Sequence, residues 1–189
     1  DPLGICTPVT AKLKLDMATI CRLQTDWDDK LPSELLPVWG ENLAAIQLLS
    51  QVQVPRNIGL RGAGDKVDLI VCCDASQQIS IAAVYCRIVH GNGDVTCQLM
   101  AAKSQLATKL TIPRGELRAA KMGASVGHAV SLYMGPLVSS ITFVTDSTIV
   151  LYWLLQDSRP LQTGVRNAIL EIRRLTDVSR SLHVRGTEN

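Results

Sequence analysis

The chain has 189 residues, 47% of them hydrophobic, enough for one substantial core with room for an appendage. Its formal charge of +2 is too small to mark a polybasic tail, and no apolar run of about 18 residues is present to span a membrane. Six cysteines form no CxxC pair and no zinc-finger spacing with the three histidines, so reduced, buried thiols are expected rather than a metal framework or disulfide scaffold.

Charge is unevenly placed: residues 1–64 carry 6 basic and 7 acidic side chains, residues 65–189 carry 13 and 10. The second part is mildly cationic, which permits phosphate contacts. No signal peptide is visible, and a chain that opens at Asp1 and closes on "RGTEN" reads as a piece of something longer.

From Pro8 to about Trp27 the apolar residues Leu13, Met17, Ile20, Leu23 and Trp27 follow a helical stripe. A second helix is expected from Leu35 to Ser50, capped by Ser33. "PRNIGLRGAGDK", residues 55–66, gathers Pro, Gly and charge and reads as a linker. The pattern then changes to strands at 67–73, 79–89 and 94–104, the last two joined by the hairpin signal "HGNG". A long helix follows, with Thr111 as cap, Pro113 in its first turn and Gly135 as its stop. Along it Glu116, Ala119, Ala120, Gly123, Ala124 and Gly127 fall near one face, where small residues let a helix lie close to a sheet. Residues 141–146 read as a fourth strand, "STIVLYWLLQ" and "GVRNAILEIRRLTD" as helices, and 181–184 as a last strand. The order βββαβααβ predicts an α/β fold with a mixed sheet and helices packed on it.

Three acids stand out by position: Asp74 at the end of the first strand, Glu116 in the first turn of the long helix and Asp146 at the end of the fourth strand. Each has an ordinary structural reading, as turn residue, first-turn acid and N-cap respectively. If strands one and four are parallel neighbours, both aspartates emerge at one sheet edge, where α/β folds place their sites. Three gathered carboxylates call for a divalent cation between them, and oxygen-only ligands select Mg²⁺ or Mn²⁺ over zinc. His90, His128 and His183 have no carboxylate or serine at triad-like sequence spacing, and Trp27, Trp39 and Trp153 are expected as core anchors.

The blocks "DASQQISIAAVY", "AAKSQLATKLTIPRGELRAA" and "TDSTIVLYWL" resemble, in order, blocks of the BEL/Pao retrotransposon polyprotein. "DPLGICTPVTAKLKL" resembles the segment that leaves its reverse-transcriptase palm, so the likeness runs through essentially the whole chain. It implies three parts: a helical thumb- or connection-like segment over 1–54, the linker 55–66, and an RNase H-like domain over 67–189 that is truncated at its C-terminus. The activity implied is hydrolysis of the RNA strand of an RNA–DNA hybrid during reverse transcription. Four carboxylates carry it, and the first three fall on Asp74, Glu116 and Asp146. The fourth would lie a few residues past Asn189, so the fragment alone is expected to be impaired. Two Mg²⁺ or Mn²⁺ ions are implied: one on Asp74, Glu116 and Asp146 beside the leaving group, one on Asp74 and the missing Asp beside the attacking water. Ser76 and Ser147 are expected to touch backbone or sugar, and Lys103, Lys109, Arg114, Arg118 and Lys121 to track phosphates. Arg118 and Lys121, like Arg166, Arg173, Arg174 and Arg180, equally fit a solvated helix face. Implied partners are the rest of the pol polyprotein, with reverse transcriptase upstream and integrase downstream. Implied locations are intracellular: cytoplasm, element particle or nucleus.

Three positions depart from the family's pattern: Ile81 stands for a glycine, Gly115 for a leucine before the Glu, and Arg185 for the proline of "HVPG". Bulk at Ile81 is expected to crowd the nucleic acid, and Gly115 to loosen the turn that aims Glu116. Two rival classes follow. One is a non-catalytic nucleic-acid-gripping module or decayed element copy. The other is an aspartic peptidase, since the segment is grouped in family naming with the element's peptidase. A peptidase of that kind needs two Asp-Thr/Ser-Gly motifs, whereas "DAS" and "DST" here have no glycine following.

Overall fold

The structure, a computed structural model, describes residues 1–24, 26, 28–55, 57–107 and 110–186. Two helices, α1 (Thr7–Arg22) and α2 (Leu36–Leu48), precede the strands β1 (Lys66–Ala75), β2 (Ile79–Val89) and β3 (Val95–Leu106). The long helix α3 (Ile112–Met134) leads to β4 (Val138–Thr145), then α4 (Thr148–Leu155), α5 (Thr163–Leu175) and the short β5 (Ser181–His183). The strands join in one sheet in the order β3-β2-β1-β4-β5. β1, β2 and β3 pair antiparallel, whereas β1–β4 and β4–β5 pair parallel. The expected mixed α/β sheet is therefore present, with every strand and helix in the predicted order.

Period-two burial explains the sheet. Val67, Leu69, Val71 and Cys73 of β1 turn inward, opposite Ile88, Cys86, Val84 and Ala82 of β2, and all eight are buried. The hairpin between β2 and β3 closes where the His90 N–H donates to the Asp94 carbonyl at 2.9 Å, and Gly93 supplies the left-handed residue at φ 89°.

α3 lies on this apolar face through its small residues. Ala119, Ala120, Gly123, Ala124 and Gly127 are all buried. A Cβ at position 123 would stand 2.3 Å from Cys73 Sγ, closer than side-chain atoms approach, and 3.0 Å from Val71 Cγ1. Gly135 ends the helix with φ 59°, and its N–H donates to the Ser131 carbonyl. Thr111 takes the N-cap position with no side-chain hydrogen bond.

The amino-terminal helices are tied to each other and to the sheet. The amide of buried Asn42 in α2 donates to Asp16 Oδ2 of α1 at 2.6 Å, and Lys14 Nζ of α1 donates to Ser104 Oγ (2.9 Å) and the Ser104 carbonyl (3.0 Å) of β3. The Leu3 carbonyl accepts from the Ala102 N–H at the open edge of β3. Gly4 makes that approach feasible: φ is +70°, and a Cβ there would lie 1.6 Å from the Ala102 carbonyl oxygen. Ile58 and Leu60, within the segment read as a linker, pack against the core.

Several local expectations are corrected. α1 ends at Arg22, and Trp27 lies outside the described residues. Ser33 does not cap α2; Leu35 holds the N-cap without a side-chain bond. Trp153 packs against the core as expected, and Trp39 is half-buried beside α1. All six cysteines are free, but only Cys73 and Cys86 are buried, while Cys21 and Cys97 are exposed. Burial pushes the Cys73 thiol far above its ordinary value, with smaller contributions from Cys72 and Asp74. Among the described residues no helix is long and apolar enough to cross a membrane.

His90 has the partners that sequence spacing did not reveal. Its Nδ1 donates to Asp65 Oδ2 at 3.0 Å, and its Nε2 lies 3.0 Å from Thr96 Oγ1. The His90 and Asp65 side chains are only 2% and 4% exposed. Asp65 also accepts the backbone N–H groups of Arg61 (2.7 Å) and Gly91 (3.3 Å), so one carboxylate pins the lead-in of β1 to the hairpin.

Two outcomes follow. Gly123→Ala overpacks the α3–sheet contact and lowers unfolding free energy by about 1–3 kcal/mol, measured by urea denaturation against the parent. The Arg61 backbone N–H, with His90 and Gly91, holds the Asp65 carboxyl below its ordinary 3.8. A carboxylate depressed on folding stabilises the fold above its unfolded value and loses that contribution as pH falls through its folded value. Asp65→Asn therefore flattens the fall in stability below pH 3.8, read from denaturant midpoints at pH 2–6.

Candidate active site

The β1–β4 register places the first two acids. Cys73 pairs with Thr145, so Asp74, still in β1, and Asp146, the first residue past β4, follow on adjacent parallel neighbours. Neighbouring strands run about 4.7–4.9 Å apart, which sets the two backbone positions side by side at one end of the sheet. Asp74 is exposed, and its Oδ1 accepts the Ala75 N–H at 2.6 Å. Alternation turns Cys73 and Ala75 toward α3, where they meet Gly123 and Gly115, and puts Asp74 on the opposite face. Its cross-strand partner is Ile81, so the isoleucine that replaces the family's glycine stands directly beside it.

Glu116 lies one residue beyond the first turn of α3, which contains no acid, rather than within it as expected. It is half-buried, and Ser147 Oγ donates to its Oε2 at 2.6 Å. The same Ser147 oxygen accepts the Val150 N–H at 3.2 Å and so N-caps α4, a role the sequence had offered to Asp146. Ser147 is 5% exposed with its hydroxyl engaged on both sides. Its hydroxyl thus aims Glu116 and caps α4 at once.

Asp146 is half-buried under the returning C-terminal segment. His183 Nε2 lies 3.1 Å from the Asp146 carbonyl oxygen, to which it donates, and a Cβ at Gly186 would stand 2.9 Å from Asp146 Oδ2. Glycine at 186 thus leaves room for the carboxylate. Gly115 does not loosen the turn before Glu116: it is buried, and its carbonyl accepts the Ser80 hydroxyl at 3.0 Å.

The remaining expected contacts are spread out. Ser76 is exposed, and its Oγ accepts the N–H groups of Gln78 and Ile79 at 3.2 Å, organising the β1–β2 turn. Lys103 is exposed on β3, and Arg114 is exposed on α3 with Nη2 donating to Gln162 Oε1 at 2.6 Å. Lys109 lies outside the described residues. Arg173 is more than a solvated charge: it donates to the carbonyls of Trp153, Leu154 and Gln156 and closes the C-terminal end of α4. A basic residue in the last turn of α5 was the only sequence signal for it.

Asp74, Glu116 and Asp146 supply oxygen donors only, which suits Mg²⁺ or Mn²⁺ in kind. Among the described residues no three His, Cys, Asp or Glu side chains stand together as a ready-made cage. Mg²⁺ commonly takes one or two carboxylates plus substrate phosphates.

A five-stranded sheet in this order, with helices against it and carboxylates at the ends of its two central parallel strands, is an RNase H-like α/β domain. The chain belongs to the family of Pao retrotransposon-like RNaseH-like domains, whose pattern matches residues 1–147. Among solved structures it is similar to RNase H1 of the halophilic archaeon Halobacterium salinarum, with 18% identity over 65% of this chain and 88% of that one and a TM-score of 0.38. It is similar also to the N-terminal RNase H domain of a Mycobacterium tuberculosis protein, with 13% identity, 66% and 86% coverage and a TM-score of 0.43. The foamy viral protease-reverse transcriptase, solved with double-stranded DNA, is similar over 95% of this chain and 28% of its own, with 17% identity and a TM-score of 0.47. No curated protein matches.

Ser147→Ala removes both the cap and the Glu116 bond and is expected to cost about 1 kcal/mol in stability. Ser147→Thr keeps the hydroxyl and restores most of it, as thermal unfolding of the two variants will show.

Proposed function

We propose that this domain is the RNase H-type endoribonuclease of a retrotransposon reverse transcriptase, hydrolysing the RNA strand of RNA–DNA hybrids. The observation that carries this reading is the side-by-side placement of Asp74 and Asp146 at the ends of parallel neighbours, with Glu116 bonded to Ser147, the residue after Asp146. Water adds to the scissile phosphorus as the bridging P–O bond breaks, and the chain's task is to gather negative oxygens where that charge must be met. Asp74 and Asp146, with Glu116, would hold the divalent ions. Such ions, when bound, would supply the charge that activates the attacking water and stabilises the leaving oxygen.

Ser147 fixes the carboxylate of Glu116 by a charge-assisted bond, so that it does not reorganise as charge develops. Ser80 fixes the turn that carries it. Lys103 and Arg114 are the proposed phosphate contacts and Ser76 the proposed backbone or sugar contact. Hybrid RNA would be told from DNA by its 2′-hydroxyls and minor-groove width. Within the polyprotein, residues 1–54 would be the thumb- or connection-like segment on the reverse-transcriptase side, with integrase following and the work done inside the cell.

A second reading, a nucleic-acid-gripping module without cleavage, draws on the absence of a three-ligand cluster among the described residues. The two separate in one assay: Mg²⁺-dependent cleavage of the RNA strand of a labelled hybrid, with this chain and with one extended past Asn189. The nuclease reading expects Asp74→Asn to lower cleavage by roughly 10²–10³-fold, the scale of several kcal/mol of lost charge stabilisation. Cleavage indifferent to Asp74→Asn, or none by the extended chain, would leave the gripping module.

A further inference from the structure

A groove of about 550 Å³ runs between β3, α3 and α5, lined by Lys103, Arg114, Arg118, Lys121 and Gln162 over a floor that includes Leu117. No aspartate or glutamate is among its described lining residues. Lys121 is ion-paired to Glu171 at 2.8 Å. The other three cations have no carboxylate partner among the described residues. Arg114 and Arg118 are oriented by neutral acceptors, Gln162 Oε1 at 2.6 Å and the Leu106 carbonyl at 2.8 Å, and Lys103 makes no ion pair among the described residues. A guanidinium carries five N–H donors, so each arginine held this way still presents donors to an anion.

The groove is separate from the carboxylate edge. Arg114, Arg118, Lys121 and Ser125 recur at helical spacing along one side of α3. Glu116 stands two residues from Arg114, roughly 200° around the helix axis at 3.6 residues per turn, where Ser147 binds it. Three uncompensated cations in a groove without an acid attract a ligand with closely repeated negative charge, and a nucleic-acid backbone has that form.

We propose that the phosphate contacts of Lys103 and Arg114 belong to a nucleic-acid-gripping groove, with Arg118, on the side of α3 turned away from Glu116. The choice of nucleic acid as the polyanion rests on the nuclease reading; the grip does not require cleavage. It brings in Arg118 and Gln162, and it holds Arg114 through Gln162 at the start of α5.

The test is fluorescence anisotropy of a labelled RNA–DNA hybrid with this chain in EDTA, where metal-dependent cleavage is silent, across a salt series. Replacing Lys103, Arg114 and Arg118 together by Gln should weaken binding by roughly 10-fold or more at 0.1 M salt. It should lower the slope of log K against log salt by about 2–3, at ~0.9 for each lost phosphate contact. Lys103→Glu, on an exposed strand position, should weaken binding more than Lys103→Gln while leaving thermal unfolding unchanged. An unchanged affinity and slope in a triple variant with parental circular dichroism overturns the proposal. So does displacement of the hybrid by poly-glutamate as readily as by an equal charge of single-stranded DNA, which would mark an acidic-peptide groove. Cleavage in Mg²⁺ is scored separately, so a groove that fails to bind and an edge that fails to cut are told apart.

Discussion

The depth at which α3 sits on the sheet governs the rest of the molecule. At Gly123 the helix backbone comes so near β1 that a methyl group would collide with Cys73 and press on Val71. Each helical glycine costs ~0.5–1 kcal/mol, a cost offset by the apolar strand side chains sealed beneath it at about 0.8 kcal/mol per buried CH₂. Were α3 to stand off by the width of a side chain, Glu116 would lose Ser147, because that bond crosses from the first turns of α3 to the start of α4. The stripe of small residues is thus a setting of distance as much as a packing surface.

Around that fixed helix, single polar groups each serve two elements. Ser147 caps α4 and holds Glu116; Ser80 ties β2 to the α3 turn; Arg173 of α5 closes the end of α4; Asp65 joins the lead-in of β1 to the hairpin through His90. Buried polar groups must find partners or incur the cost of desolvation. Here the partners lie on different elements, so satisfying them also fixes how the elements meet. At the carboxylate edge the C-terminal segment does the same through His183 and the bare Cα of Gly186 over Asp146.

The two faces of the sheet carry different chemistry. On one, α3 and α5 bury the core and leave the cationic groove at the β3 margin. On the other, Asp74 and Ile81 stand side by side, and farther out Lys14 of α1 reaches Ser104. With Leu3 bonded to Ala102, the amino-terminal segment covers part of the otherwise open edge of β3, where unpaired backbone groups would invite another strand.

Element order, the hairpin, the small-residue helix face and the three acids were legible in the sequence because each is a local pattern: alternation in 79–89, "HGNG", and alanines and glycines at helical spacing before Gly135. The likeness of four ordered blocks to the BEL/Pao polyprotein supplied the family, and the match over residues 1–147 agrees with it. What the sequence left open were pairings between distant residues. Ser147 read as a substrate contact, with the cap of α4 offered to Asp146 as its ordinary structural reading, and only the approach of α3 to α4 makes Ser147 both that cap and the partner of Glu116. Gly115 read as a loosening residue until Ser80, 35 positions away, was found to bind it. His90 has no carboxylate or serine at triad-like spacing, yet it meets Asp65 from 25 residues upstream. Periodicity and turn chemistry report what a residue does within its own element. Which side chain satisfies a buried hydroxyl, imidazole or carboxylate is set by how elements stack, and that was decided by the tertiary structure alone.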